Sequence, residues 1–373
     1  MAFFSIIIPC YNQAHFLPDC LDSLLVQNYQ DWEAIVINDG STDGTSEITN
    51  KYVKIDSRIK LIEKENGGLS SARNHGIRNA IGERFIFLDS DDFLYPNCLE
   101  KVAFVAKESN DNELIQYGYT YITEGKERIL GHVNVAEKKS LLFEIFKGNL
   151  GPCHSICISK ELVHKSGFFD ETLKSAEDWD FWIRAVKVGG SQKAIQESLV
   201  YYRYSFNSMS RNPFIMYDAL KTVIQRAHKK DTRISIESPL NIDYKFDAKE
   251  ELEQIFIRTL GVSIMQNRIE ESITFFHQET AKSLQEYNSS DFEAMCSYLS
   301  FRYWYSRDDI EKVFSSFYPQ FLDFFDKMGY GKTFRKKALN HIFKRHIYYR
   351  NIYRFGKIQG SFFNFILRNI RYV

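Results

Sequence analysis

The chain has 373 residues, 44% of them hydrophobic, with 48 basic and 48 acidic side chains. That length exceeds one average domain, so two folded units are expected, and the apolar share supports a packed core and excludes a disordered chain. No apolar run approaches the ~18 residues of a membrane-spanning helix, and Phe3–Ile8 is too short for a signal peptide and leads straight into the fold. The six cysteines have no convincing metal spacing, since Cys153-x3-Cys157 is a poor zinc pair, and reduced thiols are expected. The zero net charge hides an asymmetry. From Lys327 onward there are 12 Lys+Arg and no Asp or Glu, which leaves 36 basic against 48 acidic residues before it. A basic tail behind an acidic body points to an anionic surface, either membrane lipid or nucleic acid.

In chain order, Phe3–Ile8 reads as a buried strand ending at Pro9, followed by a helix over Ala14–Gln27. Trp32–Ile37 is a second strand, and Ser41 is the expected N-cap of a helix over Asp43–Val53. Lys60–Glu63, a helix over Leu69–Ile81, the strand Phe85–Leu88 and a helix over Pro96–Lys107 continue the alternation. Strand and helix alternating over about 110 residues predict a doubly wound, mostly parallel sheet flanked by helices. The pattern then loosens to strands at Leu114–Ile122 and Ser155–Ile158, a short helix to His164, a helix over Ala176–Lys187 and a last strand at Leu199–Tyr204. This α/β unit is expected to end near residue 213. Residues 214–330 read as a helical region, with helices at Tyr217–Lys229, Lys249–Ile264, Ile269–Leu284 and Phe292–Trp304. Residues 331–373 interleave basic with aromatic and aliphatic residues, and Gly356 and Gly360 predict two helical pieces there. Such a segment suits a membrane interface, with helix packing on the protein as the alternative.

Four stretches fall where strands end: Pro9-Cys10-Tyr11-Asn12, Asn38-Asp39-Gly40-Ser41, Asn66-Gly67-Gly68 through Arg73-Asn74, and Asp89-Ser90-Asp91-Asp92. A parallel sheet gathers such ends along one edge, where ligands bind. Three carboxylates within four positions repel one another unless a partner neutralises them. A divalent cation bridging to phosphates is one such partner, and an acidic turn capping the helix after Pro96 is the plainer reading. With the aromatic Tyr11, the carboxylate of Asp39 and the cation of Arg73, the inventory fits a nucleoside diphosphate. In Ala176–Arg184, Glu177 and Asp178 stand at a helix start, where the dipole favours carboxylates, and either can accept a proton. Asp180 and Arg184 form an ordinary i,i+4 pair and Trp182 a core residue.

These motifs in this order, with the helix Ala-Glu-Asp-Trp-Asp-Phe-Trp-Ile-Arg, resemble an inverting family 2 glycosyltransferase of the GT-A (Rossmann-like) fold, of bacterial surface-polysaccharide type. The resemblance covers about residues 3–211. It implies a nucleotide-sugar donor, usually a UDP-sugar, and a divalent metal, Mn²⁺ or Mg²⁺. Carried over by position, Pro9, Tyr11 and Asn12 lie at the nucleotide, with Tyr11 against the uracil, and Asp39 binds uracil or ribose. Arg73 contacts the nucleotide or diphosphate, Asp89 holds the ribose, Ser90 belongs to the same donor-binding set, and Asp91 is the metal ligand, with Asp92 supporting the loop. Asp178 is the base and Glu177 assists at the acceptor. Two departures stand out: Ser205 replaces a histidine that ligates the metal in many relatives, with His154 not assumed to substitute, and Asn38 replaces a frequent aspartate. The implied partners are the donor, a glycan or polyprenyl-diphosphate-linked acceptor and an anionic membrane surface through the tail, with no nucleic acid. The implied location is cytoplasmic, peripheral to the inner face of the cell membrane. The alternatives are a nucleotidyltransferase, which needs a metal–phosphate site but no Glu177-Asp178 helix, and a non-catalytic nucleotide-sugar-binding module.

Overall fold

The computed structural model describes residues 2–204, 212–297 and 307–369, with side chains of 356–360 and 362–369 left aside. Ser205 and the closing loop around it lie outside the described residues, as do the last residues of the expected Phe292–Trp304 helix. Two compact units form, one from residues 1–211 and 219–247 and the other from 212–218 and 248–373.

The first unit contains β1 (Phe4–Cys10), α1 (Leu17–Leu25), β2 (Trp32–Asp39), α2 (Thr45–Ile55), β3 (Ile59–Lys64), α3 (Leu69–Asn79) and β4 (Arg84–Phe87). It continues through β5 (Phe93–Leu94), α4 (Cys98–Lys107), β6 (Glu113–Thr123), β7 (Ile129–Val133), α5 (Leu141–Lys147), β8 (Ile156–Ser159), α6 (Lys160–Ser166), α7 (Glu177–Lys187) and β9 (Ser191–Tyr204). The strands join in one nine-stranded sheet of order β3-β2-β1-β4-β8-β6-β9-β5, with β7 paired to β6. β3, β2, β1 and β4 run parallel, β8 runs antiparallel between β4 and β6, and β6 and β9 are again parallel.

β1 is buried along its whole length, as its apolar residues require, and the one hydroxyl among them, Ser5, donates to Glu33 Oε1 at 2.5 Å. Phe4, Ile6 and Ile8 pack with Leu17, Leu21 and Leu24 of α1 and Leu99 and Val102 of α4. Ile7 meets α3 instead, at Gly76. A Cβ there would lie 2.3 Å from Ile7 Cγ2, so glycine is what lets this helix lie against the strand. β1 has β2 on one side and β4 on the other, so the strand order reverses there. In open α/β sheets the crevice at that reversal is where ligands bind.

α7 is held from several sides. Trp182 is fully buried, Phe181 stacks on Phe169 at 4.3 Å between centroids, and the Trp179 indole N–H donates to Ile145 O at 2.7 Å. Arg233, from the 219–247 segment, donates to Asp180 Oδ1 at 2.8 Å and to Asp170 Oδ2 at 2.9 Å. Arg184 Nε donates to Asp180 Oδ2 at 3.1 Å, the expected i,i+4 pair.

α8 (Pro213–Ala227) leads to α9 (Lys249–Met265), α10 (Ile269–Glu279), α11 (Ser289–Met295), α12 (Arg307–Ser316), α13 (Tyr318–Lys327), α14 (Lys332–Ile342) and α15 (Lys344–Asn369). The second unit buries an aromatic core that includes Phe256, Phe276, Phe321, Phe324, Phe325 and Phe343.

Several expectations change. Ser41 does not cap α2. Its Oγ accepts from Asn12 N at 3.0 Å, the N-cap is Gly44 without a side-chain cap, and Asp43 Oδ1 accepts from Thr45 N at 3.1 Å. The tail helix does not break at Gly356 or Gly360, because the break falls at Phe343 and α15 runs through both glycines. β5, β7 and α5 were not expected.

Candidate active site

The first two strand ends carry the aromatic and the carboxylate. Tyr11, just past β1, is 50% exposed, while Pro9 lies buried inside the strand. Asn12 adopts φ 53°, and its Oδ1 accepts from Thr42 N at 2.8 Å, tying the β1 and β2 loops together. Asp39, at the end of β2, is 3% exposed. Its Oδ1 accepts from Lys64 Nζ at 2.5 Å and Gly67 N at 3.0 Å, and its Oδ2 from Gly68 N at 2.8 Å. Gly68 has φ 88°, a left-handed value that favours glycine, so Asn66-Gly67-Gly68 turns its amides onto this carboxylate. Lys64 is a partner that sequence reading missed, since nothing distinguishes a lysine at the end of an exposed strand.

The acidic loop follows β4. Ser90 is fully buried and donates to Gln13 Oε1, which turns its hydroxyl inward. Asp92 is also fully buried, and its Oδ1 accepts from Arg203 N at 2.7 Å. The Arg203 guanidinium donates from Nε to Asp91 O at 2.7 Å and from Nη2 to Asp19 Oδ2 at 2.7 Å, so the last residues of β9 clamp the loop. Burial, Asp92 and Asp89 together push the Asp91 carboxyl well above the usual carboxylate range. His154, just before β8, has its Nδ1 2.7 Å from Asp92 Oδ2 and 3.9 Å from Asp89 Oδ2. The closer approach is misaligned for a hydrogen bond, and Asp92 Oδ2 and both His154 ring nitrogens are buried without a hydrogen-bond partner.

Arg73, on α3, joins the two halves of the site. It is 2% exposed, donating from Nη2 to Asp89 Oδ1 at 2.7 Å and from Nη1 to Glu177 Oε1 at 2.6 Å. Both Nη atoms therefore serve protein carboxylates, while Nε is buried without a hydrogen-bond partner.

Glu177 and Asp178 open α7. The residue before them, Ala176, holds φ 55° and ψ 21° and provides no side-chain cap. An alanine in the left-handed region costs about 1–2 kcal/mol, the kind of strain found at functional sites. Asp178 Oδ1 accepts from Trp179 N at 2.7 Å and Oδ2 from Asn149 Nδ2 at 3.0 Å. Burial, then the neighbouring Glu177, push its carboxyl up to about 7, against the opposing pull of Arg73 and these hydrogen bonds. The side chain nevertheless keeps partial access to solvent. A carboxylate that titrates near neutrality is suited to take a proton from an attacking hydroxyl.

A hard cation fits this edge. Asp89, Asp92 and His154 offer one ligand atom each within 4.8 Å of one another, and Asp91 is outside that set. The buried Asp92 Oδ2 and His154 nitrogens, which no hydrogen bond satisfies, are what a cation would relieve. Carboxylate oxygens with one imidazole suit Mg²⁺ or Mn²⁺.

An exposed aromatic, a nested carboxylate, an acidic loop and a basic carboxylate thus lie along the ligand edge of a mixed α/β sheet of the GT-A type. The glycosyl transferase family 2 profile matches residues 5–165 of the chain. EpsJ of Bacillus subtilis, an uncharacterized glycosyltransferase, is 34% identical over 221 residues, covering 56% of this chain and 63% of EpsJ. The chain spans less than two thirds of the length of the curated relatives it matches. TarS 1-349 of S. aureus in complex with UDP-GlcNAc superposes with TM-score 0.52 at 20% identity, covering 96% of this chain and 93% of that one. The mannosyltransferase PcManGT of Pyrobaculum calidifontis, in complex with GDP-Man and Mn²⁺, gives TM-score 0.50 at 13% identity, covering 92% and 86%. At these identities the two structures establish the GT-A fold alone.

Proposed function

We propose that the chain transfers a sugar from a UDP-sugar to a hydroxyl of a glycan or lipid-linked glycan, with inversion, in the synthesis of a surface polysaccharide of capsule or O-antigen kind. The observation that carries this reading is the Arg73 bridge. One buried guanidinium ties Asp89, on the acidic loop, to Glu177, the neighbour of the ionisable Asp178. The donor side and the acceptor side are thereby fixed relative to each other, as a single displacement demands. In this reading Tyr11 covers the uracil, Asp39 takes the base or ribose, and Asp89 takes the ribose. Asp91 would ligate the metal beside Asp89, Asp92 and His154, whose ligand atoms lie within 4.8 Å of one another. When bound, the metal supplies Lewis-acid stabilisation of the diphosphate leaving group. Asp178 removes the acceptor proton, Glu177 assists at the acceptor, and Arg73 acts through the two carboxylates it holds. The UDP choice follows the family resemblance and the TarS complex, and GDP-Man in PcManGT is the competing donor chemistry. Calorimetric titration with UDP and with GDP tests both parts. UDP binding is expected to tighten about tenfold or more with Mn²⁺, and Asp91→Ala to lose that gain. Tighter binding of GDP, or a gain that survives Asp91→Ala, overturns the assignment.

The tail completes the proposal with a peripheral position on the inner face of the cell membrane. Among the described residues no helix is long and apolar enough to cross a membrane. Tyr353 and Phe355 on α15 are 40% and 45% exposed, which suits an interface. Several of the basic side chains are already paired at the surface, however. Arg350 and Arg354 donate to Glu311, Lys344 donates to Glu293, and Arg335 pairs with Asp326. The expected membrane affinity is therefore modest and as much apolar as electrostatic. In flotation, binding to anionic vesicles should exceed binding to neutral ones and fall in Tyr353→Ser/Phe355→Ser. An unchanged variant contradicts it.

A further inference from the structure

The loop between α5 and β8 is pinned at several points. Gln116 Nε2 donates to Leu150 O at 2.5 Å, and Ser155 N donates to Pro152 O at 3.0 Å. Gly151 lies so close that a Cβ would stand 2.9 Å from Ser155 Oγ and 3.1 Å from Gln116 Nε2. Ahead of the loop, α5 is fastened to α7 by the Trp179 indole on Ile145 O. Asn149 sits within this pinned segment. Its Oδ1 faces Gly151 N at 3.5 Å, which orients the amide so that Nδ2 donates to Asp178 Oδ2 at 3.0 Å.

We propose that Asn149 is a positioning residue for the base, an amide donor that aims the Asp178 carboxylate and stabilises its ionised form. This rests on the reading of Asp178 given above. A hydrogen bond to the charged form favours that form, whereas burial and a like charge oppose it. The groups facing Asp178 make the balance visible. Glu177, beside it on α7, repels the carboxylate. Arg73, from α3, attracts it but is shared between Asp89 and Glu177. Cys153, from the turn before β8, is buried and its thiol is pushed well up, so it stays neutral and adds no charge. The Trp179 N–H holds Oδ1. Asn149 thus supplies the side-chain donor to Oδ2, and an amide cannot be titrated away.

The test is the pH profile of turnover in wild type, Asn149→Ala, Asn149→Asp and Asp178→Asn. In Asn149→Ala the acid limb should move to higher pH by about one unit, because a hydrogen bond to a charged group is lost. Asn149→Asp should move it further, by placing a second carboxylate against Oδ2. A limb that stays in place in both variants overturns the proposal, and so does a uniform loss at every pH without a moved limb. Substantial turnover in Asp178→Asn would instead overturn the assignment of the base, so the two failures are distinguishable.

Discussion

Asp178→Asn should lower sugar transfer by about 10³–10⁴-fold while UDP-sugar still binds, since positioned proton transfer contributes about 10²–10⁴ and no other carboxylate has its place. Glu177, the near neighbour, is committed to Arg73. The folded protein should not be weakened. The folded-state carboxyl of Asp178 lies above its ordinary value, at about 7, so the fold binds this proton more tightly than the unfolded chain does. Stability from this group is therefore present at acid pH and lost as the pH rises from the ordinary carboxylate range through about 7. Replacing it with a neutral amide should leave the thermal midpoint at pH 8 equal to or above that of wild type. A dead variant with a lower midpoint would point to misfolding rather than to a missing base. The same ionisation sets the wild-type pH dependence. The base is protonated below about 7, so turnover should rise with pH through that region.

Arg73→Leu should do the opposite to stability. The side chain is 3% exposed, and its loss leaves Asp89 and Glu177 facing each other's neighbours without a counter-charge. Breaking a buried ion pair by removing one partner costs about 3–5 kcal/mol, enough to lower the thermal midpoint by several degrees in a domain of this size. Because Arg73 also favours the ionised Asp178, the acid limb of any remaining activity should move to higher pH. An unchanged midpoint would mean that Arg73 is not the strut described above. Arg73→Lys should recover part of the stability but not the two-sided grip, because a lysine is a single point charge where the guanidinium reaches two carboxylates.

The parts of the fold that could be read in the sequence are those where both sheet faces are buried. β1, β2 and β4 each contain an apolar run, Ile6–Ile8, Ala34–Ile37 and Phe85–Phe87, and the motifs follow these runs, so the ligand edge follows from the order of residues alone. β5, with two residues, and β7, with one buried residue in five, have no period to detect. The site contacts that the sequence does not assign depend on pairings distant in sequence. His154 reaches Asp92 because β8 runs antiparallel beside β4, with Ile86 opposite Cys157. Arg203 reaches the acidic loop because β9 continues to the same sheet edge, with Arg203 opposite Ile122. A lone histidine after Pro-Cys and an arginine inside a tyrosine-rich strand carry no local signal. Ser41 shows the reverse case, a sound capping signal overridden when Asn12 takes the hydroxyl. The basic tail reads clearly as composition, but its ion pairs to Glu293, Glu311 and Asp326 do not, since nothing in the sequence indicates which acids it will meet.

The most direct measurement is UDP release from a panel of UDP-sugars by the purified chain, with Mn²⁺ and with a chelator, beside Asp178→Asn. Metal-dependent release from at least one UDP-sugar, lost on chelation and lost in Asp178→Asn, is the predicted result. Release that persists with the chelator, or equal release by Asp178→Asn, would contradict an account built on an acidic-loop metal and a base on α7.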